Sequence, residues 1–258
     1  MFKQTALILQ IKTFRRMQEV IFQDMGLIPY REAWDYQEKL LQRNVQLKTE
    51  ARTSMQPYDA LQVPTKHYFL ICEHPPVYTL GKSGDINHVL LSEAELKSRG
   101  IEFHHTNRGG DITFHGLQQV VGYPILDLEK MYTDIGRYLR NLEEVIIRTI
   151  AEFGLKGSRS SGETGVWIDP ELKGRERKIC AIGVRCSRWV TMHGFALNVN
   201  TDLNYFNHII PCGIQNKQVT SIEKEVGERV DYEKVKKLLL HHFEEVFEVS
   251  INTLRPAL

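Results

Sequence analysis

Apolar residues recur at helical spacing in three long stretches of the chain. The first follows Pro29, the second runs from 135 to 153, and the third runs from 235 to 247. An apolar residue at every third or fourth position marks one face of an α-helix, so each stretch predicts an amphipathic helix that packs against a core. We expect Thr133 to be the N-cap of the second helix and Gly154 to end it. The helix after Pro29 is expected to cover a sheet.

Runs rich in β-branched and aromatic residues predict strands between these helices. Residues 67–83 have a strand-like alternation that breaks at the Pro75-Pro76 pair. Residues 178–187 and 189–200 form two neighbouring strand-like runs. Residues 51–65 show no apolar periodicity, which predicts a loop.

Glycines lie inside both of the neighbouring strand-like runs, at Gly183 and Gly194. Glycine weakens the packing of a strand, so its presence in two adjacent strands suggests that a ligand or another backbone passes close by. A groove along these strands is one interpretation. A pair of β-bulges explains the glycines equally well.

Length and composition are those of an ordinary globular protein. The 258 residues are 42% apolar and 25% charged, and no linker-like tract or repeat interrupts them, which favours one domain. The 33 Lys and Arg residues against 32 Asp and Glu residues leave a net charge of +1, so nothing points to nucleic acid as the main partner. Four cysteines in a chain of this length do not build a disulfide scaffold. Because we find neither a signal peptide nor an apolar run of about 18 residues, we expect a cytoplasmic protein without a membrane segment.

The first sixteen residues are basic and superficially resemble an organellar presequence. They are also short and poor in serine, so we favour Met17 as the natural start. The expected organisation is an extension over residues 1–16, outside the fold, followed by a single domain over residues 17–258.

The stretch RGGDITFHG, from Arg108 to Gly116, has the composition of a binding loop. Its adjacent glycines permit positive φ and a close approach of a ligand to the backbone. Arg108 and His115 supply hydrogen-bond donors at the two ends of the turn. The alternative is a glycine turn between two core strands, with incidental charges.

Cys212 lies between Pro211 and Gly213, in a turn that would hold its thiol outside a regular strand. Most free cysteines are buried apolar filler, and from the residues alone that alternative stays open.

No metal or nucleotide site is predicted. Cys180, Cys186 and His193 are spaced by six and seven residues, unlike the short paired spacings of structural zinc sites. The chain has neither a G-x-x-x-x-G-K-[ST] phosphate loop nor a G-x-G-x-x-G turn, so nothing points directly to a nucleotide.

Four motifs in a fixed order, RGGDITFHG, RKICAIGVR, HGFALNVNTDLNYF and IIPCGI, resemble those of the octanoyl-[acyl carrier protein]:protein octanoyltransferases of lipoate biosynthesis. Two earlier segments, VIFQDMGLIPYREAWDYQEKL and EHPPVYTLGKS, look like the opening helix and the histidine-proline loop of that family. The likeness runs from about Val20 to about Glu225 and favours Met17 as the start. The chain departs from the family at Leu117 and Gln118, where a Pro-Gly pair is usual. The loop is therefore expected to differ in geometry there, without loss of a chemically active side chain.

The resemblance implies the α/β fold of the biotin and lipoate protein ligase catalytic domains, a mostly antiparallel or mixed sheet flanked by helices. It also implies an acyltransferase in which Cys212 takes the octanoyl group from the phosphopantetheine thioester of octanoyl-acyl carrier protein, with Lys178 assisting. The acyl group then passes to the ε-amine of a lysine on a lipoyl domain, either of a 2-oxoacid dehydrogenase E2 subunit or of the glycine cleavage H protein. A protonated Lys178 near the thiol would favour the thiolate, which is the nucleophilic form. No ATP and no cofactor are expected, beyond the phosphopantetheine that carries the substrate.

The substrate-binding segments of the family match three stretches of this chain. By the resemblance, these stretches line an acyl tunnel and offer backbone N–H groups to the thioester carbonyl. The residues are Arg108, Gly109, Gly110, Asp111, Ile112, Thr113, Phe114, His115, Ala181, Ile182, Gly183, Gly194, Phe195 and Ala196.

Two other functions are weighed against this one. An ATP-dependent lipoate or octanoate ligase of the same fold would use the lysine to bind an acyl-adenylate and would not need Cys212. A non-catalytic module that binds lipoyl domains or acyl carrier protein would need neither Cys212 nor Lys178. The presence of both residues favours the transferase. We expect a monomer, because no apolar helix face is left over once the core helices are placed.

Overall fold

The computed structural model describes residues 17–210 and 218–253. The expected extension over residues 1–16 and the Pro-Cys-Gly turn around Cys212 lie outside the described residues.

The described chain consists of strands, α-helices and short 3-10 helices. In chain order the strands are β1 (Gln18–Leu27), β2 (His67–Glu73), β3 (Val77–Leu80), β4 (Glu102–His105), β5 (Ile112–His115), β6 (Gln119–Ile125), β7 (Gly157–Ser160), β8 (Glu163–Ile168), β9 (Arg177–Ser187), β10 (Val190–Asn198), β11 (Gln218–Val219) and β12 (Val249–Thr253). The α-helices are α1 (Tyr30–Ser54), α2 (Glu93–Ser98), α3 (Ile135–Ala151), α4 (Ile222–Val226) and α5 (Tyr232–Phe247). Short 3-10 helices cover Ala60–Gln62, Ile86–His88, Leu128–Lys130 and Leu203–His208.

Within the described residues, most strands join one mixed sheet in the order β12-β1-β2-β6-β10-β9-β8-β7, and β11 pairs with β9 beside this path. The strand β1 runs parallel to β12 and to β2, and β11 runs parallel to β9. The other neighbours in this sheet are antiparallel. A second sheet has the order β4-β3-β5. The predicted strand over residues 67–83 therefore breaks at the proline pair into two strands that belong to different sheets.

Helices cover both faces of the main sheet. On one face, α3 and α5 pack their apolar stripes against strand residues such as Phe69 and Phe195. On the other face, Ala33, Leu40 and Leu41 of α1 are buried against residues of β2, β6 and β10. The helix after Pro29 covers the sheet, as its periodicity predicts.

Two local predictions are wrong at the ends of helices. The expected loop over residues 51–65 begins too early, because α1 continues through Ser54. Ala51 is buried, and Arg52 donates to the side chain of Glu129 at 2.7 Å. Tertiary contacts therefore hold the last turn of α1 in helical form although its sequence lacks apolar periodicity.

The N-cap of α3 is Asp134, one residue later than the predicted Thr133. The carboxylate of Asp134 accepts from the backbone N–H of Arg137 at 2.9 Å and so satisfies a free donor of the first helical turn. Gly154 adopts a φ of +75° three residues after the helix, consistent with the predicted end.

The strands β9 and β10 form a hairpin closed by Arg188 and Trp189, both at positive φ. Two such residues match the turn that fits the twist of a hairpin. Their pairing from Ser187 opposite Val190 to Cys180 opposite Leu197 has no register shift, so the β-bulge interpretation is wrong.

Gly183 and Gly194 lie directly opposite each other in this hairpin. A Cβ atom on Gly183 would lie 2.8 Å from the carbonyl oxygen of Gly109, and one on Gly194 would overlap the carbonyl oxygen of Gly122. Both glycines are therefore needed because another backbone passes close to the hairpin.

Among the described residues, no helix combines the length and the apolar character that crossing a bilayer demands.

Candidate active site

A cavity of about 400 Å³ runs along the β9–β10 hairpin, a volume typical of small-molecule sites. All of the predicted substrate-binding residues except Phe114 line it, together with Lys178. Phe114 is buried instead and stacks on the ring of Tyr205, with 4.5 Å between the ring centroids. The groove interpretation of the strand glycines agrees with this cavity, although the glycines also make room for neighbouring backbone.

Lys178 and His193 lie far apart along the cavity. His193 pairs with Val184, which follows Lys178 by six residues on the same strand. At a rise of about 3.3 Å per residue, roughly 20 Å of strand separates the two positions. Ile182 and Phe195 are among the residues that line the cavity between them. The cavity is therefore elongated, with the lysine and the histidine at different ends.

The turn at Arg108 is fixed against both sheets. The guanidinium of Arg108 is buried and donates to the carbonyl oxygen of Thr79 at 2.6 Å and to its hydroxyl at 3.0 Å. The backbone N–H of Gly109 donates to the carbonyl oxygen of Val184 at 2.9 Å. Gly110 has a φ of +87°, which its lack of a side chain permits. The charges of this turn are thus built into the cavity wall, contrary to the interpretation of an incidental turn.

A chain of buried polar side chains leads from His115 across the cavity wall. The Nδ1 atom of His115 lies 2.9 Å from Oε1 of Gln119, whose Nε2 donates to Oδ1 of Asn198 at 2.8 Å. Asn198 in turn donates to the carbonyl oxygen of Thr220 at 2.9 Å. Burial, reinforced by the nearby His74 and by the positive charge of Arg108, holds the pKa of His115 well below its ordinary value, so this ring is neutral at pH 7.

Lys178 is positioned by strands on both sides. Its Nζ atom lies 4.6 Å from the ring centroid of Trp167 on β8, in a cation–π contact. Val219 of β11 pairs with Lys178, and the N–H of Thr220 donates to the Lys178 carbonyl oxygen at 3.0 Å. The strand β11 directly follows residues 211–217, so the chain that emerges from the predicted cysteine turn runs beside Lys178. The pairing of Lys178 with Cys212 stays a prediction, because Cys212 is not among the described residues.

The residue before Lys178 ties this region together. Arg177 donates two hydrogen bonds to Glu225 of α4, at 2.6 and 2.8 Å, and one to Asp169 at 2.8 Å. Such a bidentate contact fixes the orientation of the guanidinium in addition to pairing its charge. The start of β9 is thus anchored directly before Lys178, to α4 through Glu225 and to the segment after β8 through Asp169.

His193 is a cavity-lining residue that sequence reasoning considered only as a metal ligand. Its Nε2 atom donates to Oδ1 of Asn107 at 2.7 Å, and its backbone N–H donates to Oε1 of Gln37 at 3.0 Å. Burial and the positive charges of Arg108 and Arg185 lower the pKa of His193 to about 3. The ring is therefore neutral, with its proton on Nε2 and a lone pair on Nδ1. Its place directly before Gly194 was the sequence signal that could have found it.

Two tyrosines also line the cavity without having been predicted. Tyr123 donates from its hydroxyl to Nε2 of His74 at 2.7 Å, and His74 Nδ1 donates to the carbonyl oxygen of Ile28 at 2.8 Å. Burial raises the pKa of Tyr30 to about 12, so its hydroxyl stays protonated. Neither tyrosine follows a motif that would have marked it in the sequence.

Among the described residues, one group of side chains could hold a metal ion: His241, His242 and Glu245 on α5. None of the three lines the cavity.

The family described as "Lipoyl protein ligase A/B catalytic domain" matches residues 29–244, which is most of the chain. The chain belongs to this family. The predicted family relationship is confirmed.

Two relatives within the family match over nearly their whole length. An octanoyltransferase of Christiangramia forsetii is 54% identical over 234 residues, which cover 90% of this chain and 97% of that protein. An octanoyltransferase of Flavobacterium psychrophilum is 54% identical over 230 residues, which cover 89% of this chain and 97% of that protein. Octanoyltransferases are acyltransferases, and the predicted enzyme class is confirmed at this level of identity.

Solved lipoate-protein ligases share the fold of this family member. The bipartite lipoate protein ligase of Thermoplasma acidophilum has a TM-score of 0.63 at 16% identity, covering 93% of this chain and 88% of that one. A lipoate-protein ligase A bound with ATP has a TM-score of 0.62 at 15% identity, covering 93% of this chain and 90% of that one. At such identities the likeness concerns the fold alone. The predicted mixed sheet flanked by helices is confirmed.

Proposed function

We propose that this protein carries an octanoyl group from octanoyl-acyl carrier protein, through a thioester on Cys212, to a lysine ε-amine of a lipoyl domain. The observation that carries the proposal is that Lys178, the Arg108 turn and the hairpin glycines all line one cavity, beside the strand that follows the cysteine turn. The proposed acceptors are the lipoyl domains of 2-oxoacid dehydrogenase E2 subunits and the glycine cleavage H protein.

In the first half-reaction, the Cys212 thiolate attacks the thioester carbonyl and the bond to the pantetheine sulfur breaks. A thiol of ordinary pKa, about 8.5, is only a few per cent ionised at pH 7. An ammonium about 4 Å away stabilises the thiolate by up to ~4 kcal/mol at an effective dielectric constant of 20, before desolvation opposes it. Lys178 in this position would both ionise the thiol and give a proton to the departing pantetheine sulfur.

In the second half-reaction, the neutral amine of Lys178 accepts a proton from the incoming lysine as that nitrogen attacks the acyl-cysteine. The amide bond forms, and the Cys212 sulfur leaves as a thiolate. Lys178 is charged again and ready for the next donor. Thioester exchange is nearly isoenergetic and amide formation is downhill, so the cycle needs no ATP.

The cavity walls suit an acyl chain. Ala181, Ile182, Phe195 and Ala196 line the cavity between its two ends with apolar surface.

The first test is the intact mass of the protein after mixing with octanoyl-acyl carrier protein and no acceptor. We expect one octanoyl adduct on the wild type, none on Cys212→Ser, and formation slowed about 10²- to 10⁴-fold in Lys178→Ala, because the proton donor is lost. Lys178→Arg is the matched control, since it keeps the charge and the cation–π contact but cannot cycle a proton. It should form the adduct faster than Lys178→Ala and still pass octanoate poorly to a lipoyl domain.

A wild type that stays unmodified would overturn the proposal. If octanoate and ATP then acylate a lipoyl domain with release of pyrophosphate, the protein is an ATP-dependent ligase. If it binds a lipoyl domain and transfers no acyl group under either condition, it is a binding module.

A further inference from the structure

The end of the cavity remote from Lys178 carries a buried hydrogen-bond acceptor that is not used by the described residues. His193 is 1% exposed, and its Nδ1 atom has no hydrogen-bond partner in the part of the chain that the structure describes. Because Nε2 donates to Asn107, Nδ1 holds the lone pair of a neutral imidazole. This atom needs a donor, and a water molecule in the cavity can be that donor.

Between the two ends, the cavity wall includes apolar residues beside the polar side chains of His115, Gln119 and Asn198. Ile182 and Phe195 lie opposite each other on β9 and β10, and Ala181 lies opposite Ala196. An acyl chain that starts at Lys178 therefore passes these positions before it reaches His193, and Arg108 lies against the hairpin at Gly183 on the way. The chain itself carries no hydrogen-bond donor.

We infer that His193 sets the upper limit of acyl-chain length by placing an unpartnered acceptor at the cavity end remote from Lys178. A medium-length chain ends before His193 and leaves Nδ1 to water. A longer chain must bury its methylene groups against Nδ1 and strip that atom of its donor, which costs about as much as an unsatisfied buried polar group. The inference rests on the proposed function, because it places the thioester at the Lys178 end.

The backbone at His193 offers a matched pair of variants. Its φ is +56°, in the left-handed region that Asn and Gly tolerate well. His193→Asn keeps an acceptor on the atom next to Cγ but shortens the side chain. His193→Gly removes the acceptor and the side chain together. Both variants enlarge the cavity, and only one retains the polarity.

The experiment measures kcat/KM for transfer from hexanoyl-, octanoyl-, decanoyl-, dodecanoyl- and tetradecanoyl-acyl carrier protein to a lipoyl domain. The readout is the ratio of the dodecanoyl to the octanoyl value, which cancels differences in folded fraction. For the wild type we expect this ratio to be low. His193→Gly should raise the ratio about tenfold or more, because it removes the cost of leaving the buried Nδ1 atom without a hydrogen bond. His193→Asn should leave the ratio near the wild-type value.

His67→Gln is the control, since His67 is equally buried, lies outside the cavity and has partners on both ring nitrogens. Its ratio should equal that of the wild type. A rise in both His193 variants would show that side-chain volume sets the limit, and a rise in neither would show that His193 does not set it; either result overturns the inference. Failure of the wild type to transfer any acyl chain would instead overturn the proposed function.

Discussion

Two buried polar regions of this protein differ in whether the chain satisfies them by itself. The first, which we call the Lys48 cluster, consists of Lys48, Thr65, His67, Asp127 and Glu129. The second is the far end of the cavity at His193. Both contain titratable groups shielded from solvent, yet only the second leaves a buried nitrogen without a partner among the described residues. A polar region whose hydrogen bonds and charges are all satisfied by protein groups stabilises the fold. A polar region with an unpaired hydrogen-bonding atom at a cavity is suited to interact with a ligand that enters the cavity.

The Lys48 cluster joins α1 to the segment that follows β6. Lys48 and Asp127 are fully buried and form an ion pair, and the Lys48 ammonium also lies 3.1 Å from Glu129. Thr65 donates from its hydroxyl to the second carboxylate oxygen of Asp127 at 2.8 Å. The backbone N–H of Asp127 donates to Nδ1 of His67 at 3.1 Å. Each charged group of the cluster depends on the others for its counter-charge or hydrogen bonds. Removing one therefore leaves a buried charge without compensation in an apolar environment.

The largest expected effect is from breaking the Lys48 cluster with Asp127→Ala. We expect a loss of about 3–5 kcal/mol in the free energy of unfolding, because the buried ammonium of Lys48 loses its principal counter-charge. Urea unfolding followed by circular dichroism measures this loss. Octanoyl transfer per folded molecule should stay near the wild-type value, since the cluster does not line the cavity.

The matched control replaces the whole pair, as Lys48→Met with Asp127→Leu. It should recover much of the stability that Asp127→Ala loses, because apolar side chains of similar size carry no desolvation penalty. A loss below about 1 kcal/mol for the single variant would mean that the pair is not the element that stabilises this region.

A smaller effect is expected from pH, through His67. Burial, aided by the positive charges of Lys130 and Lys48 and opposed by Asp127, lowers the pKa of His67 to about 4 in the folded protein. In the unfolded chain it is about 6.5. The unfolded chain therefore binds more protons between these values, and stability is full above pH 6.5 and falls as the pH approaches 4.

At pH 5 the contribution of His67 to this fall is about 2 kcal/mol. Measuring the free energy of unfolding from pH 7 to pH 4.5 should show a shallower decline in His67→Gln than in the wild type. His74 and His193, whose pKa values burial also lowers, keep some decline in the variant. Equal slopes in the two proteins would contradict the assignment to His67.

How much could be predicted from sequence differs between local and long-range features. Periodicity predicts α1, α3 and α5, because a helix face follows from neighbouring residues alone. Lys48 and Asp127 lie 79 positions apart, and no local pattern pairs them. The helix that carries Lys48 also continues past the end of its apolar stripe, because tertiary contacts stabilise its last turn.

The candidate site shows the same difference between features that the sequence predicts and features that depend on long-range contacts. Motif resemblance predicts most of the cavity wall, because it compares whole segments with an existing family. It places Phe114 on that wall, whereas alternation along β5 buries the ring in the core of the smaller sheet. It gives no role to His193, whose positive φ and unpartnered nitrogen emerge only when α1, the Arg108 turn and β10 are brought together.

An effect of similar size to that of His67 is expected at Asn198, which belongs to the polar chain that starts at His115. Asn198→Ala removes hydrogen bonds to Gln119 and Thr220, for an expected loss of about 1 kcal/mol per bond in the free energy of unfolding. Thr220 lies beside Lys178, so the rate of octanoyl-adduct formation should fall as well.

Intact-mass time courses and urea unfolding of the same preparation separate the two effects of Asn198→Ala. Asn141→Ala is the control, because its hydrogen bond to Tyr132 lies away from the cavity. It should change the adduct rate little. An unchanged rate in Asn198→Ala would show that the polar chain supports the fold without positioning the lysine.

The hairpin of β9 and β10 and the pairing of β1 with β12 differ in how soon they can form after synthesis. A two-residue turn closes the hairpin, whereas β1 and β12 come from opposite ends of the described chain. Hairpins form in about 1–10 μs, while pairing across a long intervening chain must first overcome a large loop-closure entropy. The wall of the cavity can therefore take shape early in folding, and the outer edge of the sheet is completed among the last steps.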